Sequence, residues 1–248
     1  MTSREEMSTS FGVVAETYEA GRPSYPTDAV RWMLQPAGES TGVRVVDVGA
    51  GTGKLTRALI DLGAEVTAVD PDPGMLENLR ANLPSIPALL GRAESLPLPD
   101  AGADAVVFGQ AWHWVDVAAA SAEAGRVLRR GGVLGLIWNI RDESVDWVRR
   151  LTAAMHGSHA EELLASGGPA VGAPFAGLDR QEWRWSRRMT REDLLAMARS
   201  RSYVITAAPA ERARIEQALV ELCDEIGAVG NATVDLPYVT HAFRSIRP

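Results

Sequence analysis

The sequence predicts an α/β chain built on a doubly wound parallel sheet, and three observations carry that reading. Short β-branched runs at Val43 to Val48, Glu65 to Val69, Ile86 to Leu90 and Ala103 to Phe108 alternate with segments whose apolar residues recur at helical spacing. Strict alternation with right-handed crossovers specifies parallel strands covered by helices on both faces. The first run ends in Asp47 and three closely spaced glycines, Gly49, Gly51 and Gly53, before Leu55, Ala58, Leu59 and Leu62 open a helix. A strand turning that sharply into a helix is where open α/β sheets bind ligands. Lastly, 248 residues at 46% hydrophobic suffice for one large domain with an inserted elaboration.

The bulk numbers exclude several function classes. A net charge of -7 argues against a general affinity for nucleic acid or anionic membrane. One cysteine, Cys223, rules out an internal disulfide, and its place beside Leu222 in an apolar helical stripe makes it a small core residue. The histidines and the cysteine show no metal-ligand spacing; His156 and His159 stand three apart in Gly-Ser-rich surroundings that suit a surface helix end. No secretory signal begins the chain and no apolar run approaches the roughly 18 residues that span a bilayer. A cytoplasmic protein is expected, and a homodimer is compatible with the sequence.

The glycine turn meets neither common nucleotide pattern. A phosphate loop needs glycine where Val48 stands and Ser or Thr where Leu55 stands, and a dinucleotide fingerprint needs its third glycine where Lys54 stands. Asp47 points the same way, because its carboxylate repels a pyrophosphate and attracts an ammonium or sulfonium. Glycines without Cβ let a ligand lie against the turn. The expected occupant is a cationic, phosphate-free nucleoside.

Val45 to Gly53, reading Val-Val-Asp-Val-Gly-Ala-Gly-Thr-Gly, resembles the first motif of the class I S-adenosylmethionine-dependent methyltransferases, and the likeness runs from about residue 11 to 240. It implies a seven-stranded Rossmann-like sheet, an N-terminal helical strap, an inserted cap between strands five and six, S-adenosylmethionine as cofactor and a small-molecule acceptor. The Gln110 to Trp114 stretch resembles the family's small-molecule branch, which includes proteins similar to trans-aconitate methyltransferases.

Taken in order, residues 1–10 are polar and expected to be a disordered tail. Phe11, Val14, Ala15 and Tyr18 suggest a short helix, and Arg22-Pro23-Ser24-Tyr25-Pro26 an extended path. The resemblance implies that Tyr18 and Arg22 cover the methionine end of the donor; a plain strap with exposed polar tips is the other reading. Thr27 or Asp28 can cap a helix carrying Val30, Met33 and Leu34. The glycine turn then contributes Asp47, Gly49, Ala50 and Gly51 to the donor site, between a strand at 43–48 and a helix at 53–62.

Asp70 ends the second strand some 20 residues after the glycines, the spacing at which a carboxylate meets ribose hydroxyls, and Pro71 follows it. Asp72 is the better helix cap because Pro73 comes next. Met75 aligns with a family position against adenine, though a core methionine fits as well. Gly91 to Pro99 resembles the loop that grips the adenine edge; Arg92 stands where many members carry an acid, so Ala93 and Glu94 are the contacts expected there.

Gln110 to Trp114 lie at the carboxyl end of the fourth strand, with Asp116 capping the next helix. DNA N-methylating enzymes place an Asn or Asp, two prolines and an aromatic here, and this chain does not. The resemblance implies instead that Gln110 touches the methionine portion, and that Trp112 and Trp114 wall the substrate side unless they pack. His113 is the candidate catalytic residue, as a base or as a group that orients the acceptor.

Residues 131–139 make a fifth strand, so 11–140 form the donor-binding core. Residues 141–178 hold helices at Val145 to Met155 and Glu161 to Leu164 and are expected to cap the substrate pocket. Residues 179–248 complete the sheet with an alternating strand at 182–186, a helix capped by Thr190 and Asp193, a helix from Pro209 to Ile226 and a strand at 234–238. Arg201 and Tyr203 either hold a substrate carboxylate at the pocket mouth or cap a helix.

Overall fold

The computed structural model describes residues 23–39, 41–155, 159–199, 204 and 207–248. Seven strands lie in the order β3-β2-β1-β4-β5-β7-β6. β1 (Arg44–Val48), β2 (Glu65–Asp70), β3 (Ala88–Leu90), β4 (Ala103–Gly109) and β5 (Leu128–Arg141) are mutually parallel. β6 (Asp179–Thr190) and β7 (Thr233–Ile246) close the far edge, with β7 antiparallel to both neighbours.

The alternation along each strand decides which helices it carries. Val45, Val107, Val133 and Ile137 face α1 (Thr27–Leu34) and α2 (Lys54–Asp61) in one core. Val46, Val48, Val106, Phe108, Leu134, Leu136 and Trp138 face the other way, toward α4 (Val117–Val127). Leu79 of α3 (Pro73–Asn82) covers Ala50 and Ala68 beside the glycine turn. Neighbours in a strand thus serve opposite layers, the period-two signature of a sheet buried on both faces.

The capping signals act where the sequence places them. Asp72 accepts from Gly74 N and Met75 N with Pro73 in the first turn, and Asp116 accepts from Ala119 N. Thr190 and Asp193 form a reciprocal box ahead of α7 (Arg191–Arg199), Thr190 N donating to Asp193 Oδ2 at 2.9 Å and Asp193 N to Thr190 Oγ1 at 3.2 Å. α1 is the exception: Pro26 occupies its cap position, so neither Thr27 nor Asp28 caps it.

Beyond the parallel sheet, the outer ends of β6 and β7 carry a separate apolar core shared by α5 (Asp146–Met155), α7 and α8 (Pro209–Glu225). This helical layer therefore draws on chain before and after β6. α6 (His159–Ala165) instead packs Ala160, Leu163 and Leu164 into the core around Trp138. Cys223 is a free, buried member of the outer core, and burial pushes its thiol pKa up, which suits packing rather than reactivity. Among the described residues no helix is long and apolar enough to cross a membrane.

Candidate active site

The carboxyl ends of β1, β2 and β4 open on a cleft between the glycine turn, Asp70 and Gln110. Its floor is the glycine turn. Gly49 N and Ala50 N both donate to Val69 O, at 2.8 and 3.2 Å, which ties the turn to β2. Gly49 and Gly51 have φ of +69° and +56°, a left-handed geometry that residues with a Cβ rarely adopt. A Cβ on Gly49 would stand 2.6 Å from Ala111 Cβ, whereas one on Gly51 would project into open space. Gly49 thus lets β1 and β4 approach, and Gly51 leaves a bare cradle.

Asp70 crosses from β2 to this turn. Its Oδ2 accepts from Gly51 N and its Oδ1 from Asp72 N, each at 2.8 Å, so the carboxylate is fixed while further lone pairs remain. Burial pushes its pKa up to about 6 against the pull of those two N–H groups. Pro71 and Met75 continue the same wall, followed by Arg92, Ala93 and Glu94. Glu94 Oε1 accepts from Asp116 N at 2.9 Å, pinning the loop to the start of α4.

On the opposite wall Gln110 has φ +58°, a strained conformation for a residue with a side chain. Two bonds hold it: its N donates to Ile137 O at 2.9 Å and its Nε2 to Asn139 O at 3.1 Å. Asn139 is itself fixed by Nδ2 donating to Ser24 O and by Thr240 Oγ1, which donates to its Oδ1 at 2.6 Å. Trp114 closes this side, its ring edge-on to His159 of α6 with centroids 5.2 Å apart.

The cleft therefore brings together Gly49, Gly51, Asp70, Pro71, Met75, Ala93, Glu94, Gln110 and Trp114. Asp47, Ala50, Trp112 and His113 lie outside its lining. Asp47 is fully buried beneath the turn, its Oδ2 accepting from Thr56 Oγ1 at 2.6 Å and its Oδ1 without a partner. Ala50 packs against α3. Trp112 turns into the core, edge-on to Phe108, with its Nε1 donating to Ala170 O at 2.9 Å; an indole with a buried partner packs rather than walls a pocket. His113 sits behind Trp114, and its Nδ1 accepts from Trp138 Nε1 at 3.3 Å. Tyr18, Arg22, Arg201 and Tyr203 lie outside the described residues. Asn139 and Arg141, two polar residues after the apolar stretch Val133 to Trp138 of β5, were not singled out from the sequence.

Burial pushes Asp47 from its ordinary value of 3.8 up to about 7. An acid whose pKa rises on folding favours the fold fully below its unfolded value, and that contribution is lost as pH climbs through the folded value. Asp47→Asn should consequently raise the melting temperature at pH 8 and leave it unchanged at pH 4, as calorimetry would show. A gain independent of pH would mean that Asp47 is not the titrating group.

Residues 46–136 match the family model of a methyltransferase domain. Over 249 aligned residues the chain is 44% identical to an uncharacterized methyltransferase of Mycobacterium tuberculosis, covering 98% of each. It is 34% identical to the malonyl-[acyl-carrier protein] O-methyltransferase of Serratia marcescens over 133 residues, 53% of this chain and 52% of that one. A methyltransferase structure from Anaeromyxobacter dehalogenans superposes with a TM-score of 0.69 at 26% identity, covering 91% of this chain and 97% of its own. With its glycine turn and the acid ending β2 set as that family sets them, the chain belongs to the class I S-adenosylmethionine-dependent methyltransferases.

Proposed function

We propose that this methyltransferase acts on a small-molecule acceptor that enters past Trp114. The carrying observation is the doubly anchored Asp70 beside the open space over Gly51, which leaves room for a ribose whose hydroxyls donate to the carboxylate. In that arrangement Met75, Ala93 and Glu94 flank the adenine, and Gln110 meets the methionine portion. When bound, the donor supplies an electrophilic methyl on a positive sulfonium. The protein's part is to hold the acceptor in line and keep water out.

His113 has a defined place in this reading. With its Nδ1 accepting from Trp138 and its ring centroid 4.8 Å from that of Trp114, His113 acts from behind the cleft wall, holding Trp114 in place against the acceptor. His113→Ala should lower turnover roughly tenfold, the worth of about 1.4 kcal/mol of lost positioning, while donor affinity holds. Equal turnover would reduce the residue to packing. The assay is methyl transfer from tritiated S-adenosylmethionine to a panel of acids, phenols and amines, and donor binding without any transfer would refute the proposal.

A further inference from the structure

The sheet ends in β3 on one side and in β6 on the other, and the two edges differ in kind. β3 has three residues, too few to template a neighbour, whereas β6 runs for 12 residues, without proline or glycine, in unbroken register with β7. A long edge strand presents a row of N–H and C=O groups on the side away from its sheet, and proteins normally blunt such edges by shortening, bulging or covering them. Among the described residues no strand pairs with the outer side of β6. Asp179 to Glu182, Arg184, Ser186 and Arg188 are exposed there.

The side chains of β6 select its partner. A two-fold dimer would pair the strand with its own copy in antiparallel, and because residues that face each other must lie on the same side of the sheet, one residue has to sit on the axis. With Trp183 on the axis, Glu182 faces Arg184 of the other copy and Asp179 faces Arg187, each pair occurring twice, while Arg180 faces Ser186. Moving the axis one residue either way sets Glu182 on Glu182 or Arg184 on Arg184, and like charges directly opposite are destabilising. The charges that guard the edge against other strands thus complement a copy of themselves. Trp183 is half-buried and edge-on to Trp32 of α1, with centroids 5.7 Å apart, so an aromatic anchor stands at the centre of the charged rim. Within one chain Glu182 already meets Arg180 and His241, and Arg184 meets Asp142; Arg180 and Arg184 are 58% and 65% exposed, so these surface pairs are weak and can be shared across an interface.

We infer that β6 pairs with β6 of a second copy of this chain, joining two sheets into one across a two-fold axis at Trp183. Because β6 runs antiparallel to β7 and β7 antiparallel to β5, β6 is parallel to the donor-site strands. The axis therefore turns the two clefts toward opposite ends of the joined sheet. Each cleft stays on its own half, and S-adenosylhomocysteine should bind monomer and dimer equally.

Sedimentation velocity over a wide range of protein concentration tests this. Wild type should pass from the mass of one chain to twice that mass. Glu182→Arg and Arg184→Glu should each raise the dimer dissociation constant about tenfold or more, since each sets like charges face to face at two places. The double variant Glu182→Arg/Arg184→Glu should restore dimerisation, although Arg180, His241 and Asp142 then face the wrong sign within the chain, so recovery reports the contact between copies. Hydrogen exchange on wild type reads the same edge without any substitution: amides of β6 should exchange more slowly in concentrated than in dilute protein. A wild type that stays monomeric, a dimer indifferent to the single exchanges, a double variant that folds without recovering, or exchange in β6 independent of concentration overturns the inference. None of these outcomes touches the donor site.

Discussion

Replacing Asp70 by Ala should weaken S-adenosylhomocysteine binding by about 1–3 kcal/mol, roughly 5- to 150-fold in Kd, with the fold intact. The loss has two sources. The carboxylate itself no longer accepts from the ribose, and Gly51 N and Asp72 N lose the acceptor that aligns the turn with β2. Asp70→Asn should be nearly as damaging, because an amide presents an NH2 to one of two backbone donors where the carboxylate accepts from both. Affinity in wild type should also fall as pH drops through about 6, where Asp70 takes up a proton and loses acceptor capacity. Titration calorimetry at pH 5 and pH 8 reads both effects, and equal affinity in the variant removes Asp70 from the site.

Gly49→Ala should be the more destructive change, and Gly51→Ala separates its causes. At Gly49 the added methyl meets Ala111 Cβ at 2.6 Å in a backbone already at φ +69°, so strain and overpacking act together. Each is worth about 1–3 kcal/mol, and a combined loss near 4 kcal/mol corresponds to roughly 8–16 °C in Tm for a chain of this size. The end of β4 must also move away from the turn, taking Gln110 with it, so donor binding should be lost as well. At Gly51 the methyl finds open space at φ +56°, costing only the backbone strain of about 1 kcal/mol. That methyl enters the cradle, so affinity should fall with little change in Tm. Similar Tm losses in both variants would contradict the distinction.

Much of this architecture was legible in the residues, for identifiable reasons. The inner parts of β1, β2 and β4 are buried on both faces, so Val45-Val46, Ala68-Val69 and Ala105 to Phe108 stand out as apolar runs, with Asp70 and Gln110 at the cleft ends of the latter two. Asp72 and Asp116 cap helices through local hydrogen bonds that need no tertiary context. The last two strands were harder. Expected at 182–186 and 234–238, they span Asp179–Thr190 and Thr233–Ile246, because residues such as His241, Arg244 and Ser245 lie in a half-covered edge pair whose polar content hides the period. The third strand was overextended for the converse reason: Ile86 is apolar but belongs to the turn before Ala88.

The site divided along similar lines. Gly49, Gly51 and Asp70 announce themselves by spacing, since a tight turn and a carboxylate one strand away leave few alternatives. Trp112 and Trp114 are identical in type and two residues apart, yet a 3-10 turn at Trp112–Trp114 sends one into the core and the other to the cleft. Spacing alone does not separate them. Asn139 and Arg141 carried a usable signal, a polar pair after the apolar stretch Val133 to Trp138, whose meaning depends on Gln110, Thr152 and Glu161 arriving from elsewhere in the chain.

The measurement that bears most directly on the donor site is calorimetric titration of wild type and Asp70→Ala with S-adenosylhomocysteine, and of wild type with NADH. Wild type should bind one S-adenosylhomocysteine per chain and no NADH, with the variant clearly weaker. Binding of NADH in place of the thioether, or thioether binding indifferent to the loss of Asp70, would contradict the account.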